Sequence, residues 1–84
     1  MITKEKIKIF NYYKGEIDSF GRGSKRDRKI ITDNEFLLLV SFAQDIKLIK
    51  NNLASNTFEL NLENRLQENF DTKETVEEFK KVIT

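Results

Sequence analysis

The chain has 84 residues, and its 15 Lys and Arg against 14 Asp and Glu give a net charge of +1 at pH 7. A chain of this length forms one domain and buries about 60–65% of the surface that its unfolded form exposes, so its core is small. It contains no cysteine and no histidine, which removes disulfides, thiolate metal sites and the commonest general base of enzymes. These counts predict a non-catalytic protein without a metal or cofactor.

The charges are distributed unevenly along the chain. Residues 1–31 hold nine Lys and Arg and four Asp and Glu, whereas residues 32–84 hold six and ten. The first part is basic and the second acidic, which bears on the choice of partner rather than on the fold. No apolar run has the length of a signal peptide core or a membrane span, so the sequence predicts a cytoplasmic protein with no membrane partner.

The first predicted element is an amphipathic helix over residues 3–20, in which apolar residues recur at steps of three and four. These residues are Ile7, Phe10, Tyr13, Ile17 and Phe20. The lysines of the segment are predicted to face solvent: Lys4, Lys6, Lys8 and Lys14. Two alternatives stay open. The helix could be interrupted at Gly15, because glycine disfavours a continuous helix. Residues 6–10 could instead form a short strand that pairs with residues 28–31, because their apolar and polar residues alternate as in a half-buried strand.

Residues 21–31 are predicted to be a loop, with Gly21 placed to end the first helix. Five cations lie within eight residues of it, and they form what we call the basic loop: Arg22, Lys25, Arg26, Arg28 and Lys29. Such a cluster is a candidate for binding phosphate groups of a nucleic acid or another anionic partner. The spacing matches neither a P-loop nor a dinucleotide-binding fingerprint.

The central element of the chain is a predicted helix over residues 32–53, which is too long for a strand. Thr32 and Glu35 have the spacing of a capping box at its start, and Asn51 and Asn52 are poor helix formers at its end. Two adjacent apolar stripes predict that it is buried against more than one neighbour. They consist of Phe36, Leu39, Val40, Ala43, Ile46 and Leu53, and of Leu38, Phe42 and Ile49.

Two further helices are predicted over residues 54–70 and 71–84. Asn56 with Glu59 and Asp71 with Glu74 are candidate capping boxes for them. Their apolar positions are Phe58, Leu62, Leu66 and Phe70 in the first and Val76, Phe79 and Ile83 in the second. The sequence therefore predicts an all-α fold in which residues 1–84 form a single domain. This domain is a compact bundle of three to four helices around the central helix.

The last two helices also carry a predicted acidic surface, made of Glu59, Glu63, Glu68, Glu74, Glu77 and Glu78. A di-iron site would need Glu-x-x-His motifs, which a chain without histidine lacks, and the calcium-loop pattern is missing after residue 70. A DNA-reading helix after residue 55 is disfavoured, because its glutamates would repel phosphates. The surface is therefore interpreted as a docking site for a protein, or as a solvated helix face.

Two functional hypotheses follow from these features. The first is a small non-catalytic inhibitor that docks through the acidic surface on a basic, nucleic-acid-handling protein, as a bacterial immunity protein or a phage antagonist of host defence would. In size and helical content the chain resembles the small colicin-type immunity proteins, although it shares no motif with them. The alternative is a nucleic-acid- or ribosome-associated binder that acts through the basic loop. A homodimer formed through an exposed apolar stripe is a third alternative.

Overall fold

The computed structural model describes residues 1–13 and 30–83. Four helices occur in these ranges, namely α1 (Lys4–Tyr13), α2 (Asp33–Lys50), α3 (Asn56–Asn69) and α4 (Lys73–Ile83). Helices cover 79% of the described residues, which include no strand. The predicted all-α bundle is therefore confirmed. The strand alternative for residues 6–10 is wrong, because these residues lie within α1.

Several predictions fall outside the described residues. The basic loop is among them, with Arg22, Lys25, Arg26, Arg28 and Lys29. Gly15 lies outside as well, so the continuation of the first helix through it stays a prediction. The same holds for Ile17 and Phe20, the last two apolar positions of the predicted helix 3–20.

The two ends of α2 are fixed by local hydrogen bonds. At its start, Thr32 Oγ1 accepts the Glu35 N–H at 3.1 Å and the Glu35 carboxylate accepts the Thr32 N–H at 3.2 Å, so the predicted capping box is confirmed. At its end, Asn52 has a left-handed backbone with φ 58°. Its N–H donates to Ile49 O at 3.1 Å, and the Leu53 N–H donates to Leu48 O at 2.9 Å, which is a Schellman ending.

This ending corrects the predicted extent of the central helix. The helix stops at Lys50, and Leu53, which was assigned to its buried stripe, is 71% exposed beyond it. The physical reason is the left-handed turn at Asn52, which takes the chain out of the helical path before Leu53 is reached.

The core lies around α2, as predicted for the central helix. Its buried residues are Phe36, Leu39, Phe42, Ala43 and Ile46. Five phenylalanine rings form a chain of tilted contacts through this core, in the order Phe36, Phe10, Phe79, Phe70 and Phe42, with neighbouring centroids 5.2–6.0 Å apart. Tilted ring pairs at these distances stabilise a core beyond the area that they bury. The chain of rings joins all four helices, since Phe70 directly follows α3.

The segment before α1 is also part of the core. Ile2 is 1% exposed and pairs with the connection between α3 and α4. Its N–H donates to Asn69 O at 2.8 Å, and its carbonyl oxygen accepts the Asp71 N–H at 3.0 Å. No periodic pattern in the sequence predicts this one-residue bridge. Its hydrogen bonds hold the segment before α1 against the loop before α4.

The caps of α3 and α4 differ from those predicted. Ser55, and not Asn56, caps α3, with its Oγ accepting the Phe58 N–H at 3.1 Å. At α4, Thr72 Oγ1 accepts the Thr75 N–H at 3.1 Å, so the capping side chain is that of Thr72 and not that of Asp71. In both helices two polar residues compete for the capping position, and a shift of one residue decides which backbone N–H is within reach.

Candidate functional site

A half-open cleft of about 220 Å³ lies where α2, α3 and α4 meet. It is lined by Ile46, Ile49, Lys50, Glu59, Leu62, Glu63 and Lys80. Ile46 and Leu62 are buried and Ile49 is half-buried, so the floor of the cleft is apolar. The charged side chains form its rim. Of the apolar residues that line the cleft, only Ile49 keeps an appreciable exposed fraction.

One lysine holds two of the predicted acidic residues at the rim. Lys80 Nζ donates a hydrogen bond to the Glu63 carboxylate on α3 and lies 3.7 Å from Glu77 Oε1 on its own helix. The side chains of Lys80 and Glu63 are 31% and 39% exposed, so solvent screens the pair only in part. Lys80 therefore links α3 to α4 and reduces the negative charge of Glu63 and Glu77.

The structure gathers three of the six predicted glutamates around the cleft. Glu59 and Glu63 line it, and Glu77 lies beside Lys80 at its rim. We call Glu59, Glu63 and Glu77 the rim glutamates. Among them Glu59 is exposed and Glu63 is half-buried.

The other three predicted glutamates lie elsewhere. Glu68 is nine residues after Glu59 on α3, which at 3.6 residues per turn places it about 180° away, on the other side of the helix. Glu74 Oε2 lies 3.6 Å from Lys4 Nζ on α1, and Glu78 is exposed one turn further along α4. The predicted acidic surface is therefore divided among separate faces of α3 and α4.

The orientation of α3 is fixed on the side away from Glu59 by an arginine. Arg65 NH1 lies 3.8 Å from Asp45 Oδ2 of α2, and its guanidinium carbon lies 5.1 Å from the centre of the Phe42 ring. The ion pair and the cation–π contact together hold this flank of α3 against α2. They help to keep Glu59 and Glu63 on the flank that faces the cleft.

A second ionic cluster, missed by sequence reasoning, joins α1 to α2. Lys6, predicted to face solvent, places its Nζ 2.6 Å from Glu35 Oε2 and 2.8 Å from the Met1 carbonyl oxygen. The two side chains are only 18% and 20% exposed. The prediction failed because lysine was assigned outward from its polarity, whereas its long stem lets the charge reach across an apolar surface to a partner.

This environment changes the acidity of Glu35. Burial acts to raise the pKa of its carboxyl group, but the hydrogen bond and charge of Lys6 and the hydrogen bonds from Thr32 act against it and prevail. The pKa of Glu35 is consequently lowered. Because the partners of Glu35 are a cap and an internal lysine, the cluster is part of the scaffold rather than of the cleft.

Among residues 1–13 and 30–83, no three Asp or Glu side chains come close enough together to hold a metal ion. None of the helices found there combines the length and the apolar character needed to cross a membrane. No protein-family model matches the chain, and comparison with curated proteins and with solved structures gives no significant match.

Proposed function

We propose that the chain is a non-catalytic protein-binding module of the cytoplasm that inhibits another macromolecule. The docking surface consists of the cleft between α2, α3 and α4 together with the rim glutamates. The observation that carries the proposal is the combination of an apolar floor, made by Ile46, Ile49 and Leu62, with a charged edge in which two carboxylates lie beside two lysines. Protein interfaces are organised in the same way, around an apolar centre with a polar rim.

The size of the cleft favours a side chain as its occupant. Pockets for small molecules are typically about 300–1,000 Å³, and this cleft, at about 220 Å³, is smaller. An apolar side chain presented by a partner would cover the exposed part of Ile49. A lysine or arginine next to it would reach Glu59, which is exposed at the rim.

The charge of the surface favours a basic partner. Residues 55–83 contain seven Asp and Glu against four Lys and Arg, so α3 and α4 carry a net negative charge. Such a surface attracts a basic partner over distance and speeds its capture. Because Lys80 already neutralises part of Glu63 and Glu77, we expect Glu59 to form the strongest new ion pair.

The proposal that the chain is an inhibitor depends on the class of its partner, a basic protein that handles nucleic acid. A basic surface on a protein that handles nucleic acid is a functional surface, and an acidic module that covers it excludes the phosphate backbone. Bacterial immunity proteins and phage antagonists of host defence are the types of inhibitor that this proposal includes.

Capture of partners from a nuclease-treated bacterial lysate tests the proposal. The wild-type chain is compared with Glu59→Lys/Glu63→Lys, which reverses two charges of the cleft. Glu5→Lys/Glu68→Lys is the matched control, because it changes the net charge equally at exposed positions on α1 and on the far side of α3. We expect the cleft variant to lose a discrete protein that the control retains. The activity of the captured protein should then fall when the wild-type chain is added.

Three results would contradict the proposal. Equal retention by both variants would show that the cleft is not the docking surface. Recovery of nucleic acid that disappears with nuclease and with high salt would move the function to the basic loop. A captured protein whose activity does not change on binding would remove the inhibitory role.

A further inference from the structure

The side of α2 that faces away from the core carries two exposed leucines. Leu37 is 57% exposed and Leu48 is 39% exposed, although both lie within the helix that forms the centre of the bundle. They are eleven residues apart, so at 3.6 residues per turn they point within about 20° of each other. Core residues such as Leu39 and Ile46 lie on the opposite side of the helix.

Two small or neutral polar residues complete this face. Ser41 and Gln44 lie between the leucines, and the spacing of the four positions is four, three and four residues. This spacing is the seam of a helix that packs lengthwise against another helix. We call Leu37, Ser41, Gln44 and Leu48 the α2 seam.

The charges of α2 are divided between its two ends. Asp33, in the first turn, and Lys47, in the last turns, are exposed, whereas Glu35 of the first turn is already paired with Lys6. An identical helix running in the opposite direction would bring its basic end to the acidic end of the first. A parallel helix would instead place like charges and like helix-dipole ends together.

We propose that the α2 seam binds the same seam of a second copy of this chain, with the two helices antiparallel. The spacing of the seam is symmetric about its midpoint, between Ser41 and Gln44. A two-fold axis at this point places Leu37 opposite the second copy's Leu48, and Ser41 opposite the second copy's Gln44. Both leucines are then covered, and the same contacts occur twice, as a two-fold interface requires.

The extent of the seam sets the strength of this pairing. An 18-residue helix is about 27 Å long, and one pair of helix faces covers less than the roughly 800 Å² per partner of a standard stable interface. The dimer is therefore weak and reversible. It leaves the cleft open, because the seam and the core lie on opposite sides of α2, so this inference is independent of the proposed function.

Sedimentation equilibrium at increasing concentration, up to about 1 mM chain, tests for the dimer. The mass of the wild-type chain should rise from 9.9 kDa toward twice that value. Leu37→Glu/Leu48→Glu should remain a monomer throughout. Leu53→Glu/Leu60→Glu is the matched control, because it places the same charges at two other exposed leucines and should dimerise like the wild type.

Disulfide trapping tests the direction of the helices. The chain has no cysteine of its own, so Ser41→Cys and Gln44→Cys can be mixed as two differently tagged single variants. Antiparallel pairing should trap mainly the mixed disulfide between position 41 and position 44 of the other copy. Predominance of the two like-with-like disulfides would overturn the antiparallel arrangement.

A wild-type chain that stays monomeric at every concentration would overturn the proposal as a whole. The same holds if the seam variant and the control dimerise equally. In either case another part of the chain or another protein would have to be considered as the occupant of the seam. Circular dichroism of each variant confirms that a loss of dimer is not a loss of folding.

Discussion

The two ends of α2 differ in how completely they are enclosed. At the first end, the capping box of Thr32 and Glu35 is joined by the ion pair to Lys6, and Phe36 is buried against Phe10. At the other end, the helix stops in a left-handed turn at Asn52, the cleft opens, and Leu53 is exposed.

This difference separates contacts that stabilise the fold from the surface that we propose for docking. At the first end, α1 approaches through Lys6 and Phe10, and these contacts favour the folded chain. The other end leaves apolar surface and carboxylates accessible, as a docking surface needs. Truncation of a buried side chain at the first end should therefore lower the free energy of unfolding, whereas truncation of the exposed Leu53 at the other end should change it little.

The largest difference in the free energy of unfolding between the two ends of α2 is expected from truncation of a buried side chain. Phe36→Ala should lower the free energy of unfolding by about 3–5 kcal/mol, because it leaves a cavity beside the Phe10 ring. Leu53→Ala, at the exposed end, should change it by less than about 0.5 kcal/mol. Urea denaturation followed by circular dichroism measures both values. Similar losses in the two variants would remove the distinction between the ends. If Phe36→Ala does not fold, Phe36→Leu provides a milder test with a cost of about 1–1.5 kcal/mol.

The capping box should give the next largest effect. Thr32→Ala removes the acceptor of the Glu35 N–H and should cost about 1–2 kcal/mol. Thr32→Ser keeps the hydroxyl and is the matched control, with a loss of a few tenths of a kcal/mol at most. Thermal denaturation of both variants gives the comparison. An alanine variant as stable as the serine variant would show that the cap does not stabilise this end.

Two substitutions of Asn52, in the left-handed turn at the other end of α2, should differ in stability. Asn52 has φ 58°, a conformation that glycine adopts without strain and alanine does not. The free energy of unfolding should therefore be higher for Asn52→Gly than for Asn52→Ala, by about 1 kcal/mol. Chemical denaturation checks the order of the two variants. A reversal would mean that the Schellman ending does not form in solution.

The smallest effect is the pH dependence of the stability that Glu35 contributes at the first end of α2. The pKa of Glu35 is lowered in the folded chain, so the stability that its charge contributes is present above the pKa of the unfolded chain and is lost as the pH falls through the folded pKa. The free energy of unfolding of the wild type should exceed that of Glu35→Gln by about 0.2–1 kcal/mol near pH 6. Urea denaturation at several pH values should show this difference shrinking toward about pH 3. A difference that stays constant over this range would show that ionised Glu35 is not the cause.

Sequence reasoning succeeded where a local pattern is sufficient. The period of the apolar residues located the helices, and the spacing of Thr32 and Glu35 located the start of α2. It failed at Asn56 and Asp71, where the neighbouring Ser55 and Thr72 are the caps, because adjacent polar residues offer nearly equal local choices. It also failed for Lys6, whose partner Glu35 is 29 residues away.

The candidate site shows the same limit. The sequence identified Glu59, Glu63 and Glu77 as acidic positions on amphipathic helices, but it grouped them with Glu68, which the turn of α3 places on the opposite side. Nothing in the spacing of Glu63 predicted that Lys80 would bind it, since the contact depends on how α3 packs against α4. The cleft itself could not be predicted, because it is formed by surface that three helices leave uncovered.

The amino-acid sequence by itself determined that this chain is helical, where its central helix begins, and that its C-terminal part is acidic. These properties depend on neighbours within one or two turns, which are fixed by the backbone geometry of a helix. Tertiary structure alone decided that Lys6 is turned toward Glu35, that Ile2 bridges to Phe70, and which glutamates surround the cleft. Each of these features depends on contacts between residues far apart in sequence. The local pattern allows several arrangements of the helices, and close packing of the side chains selects one of them.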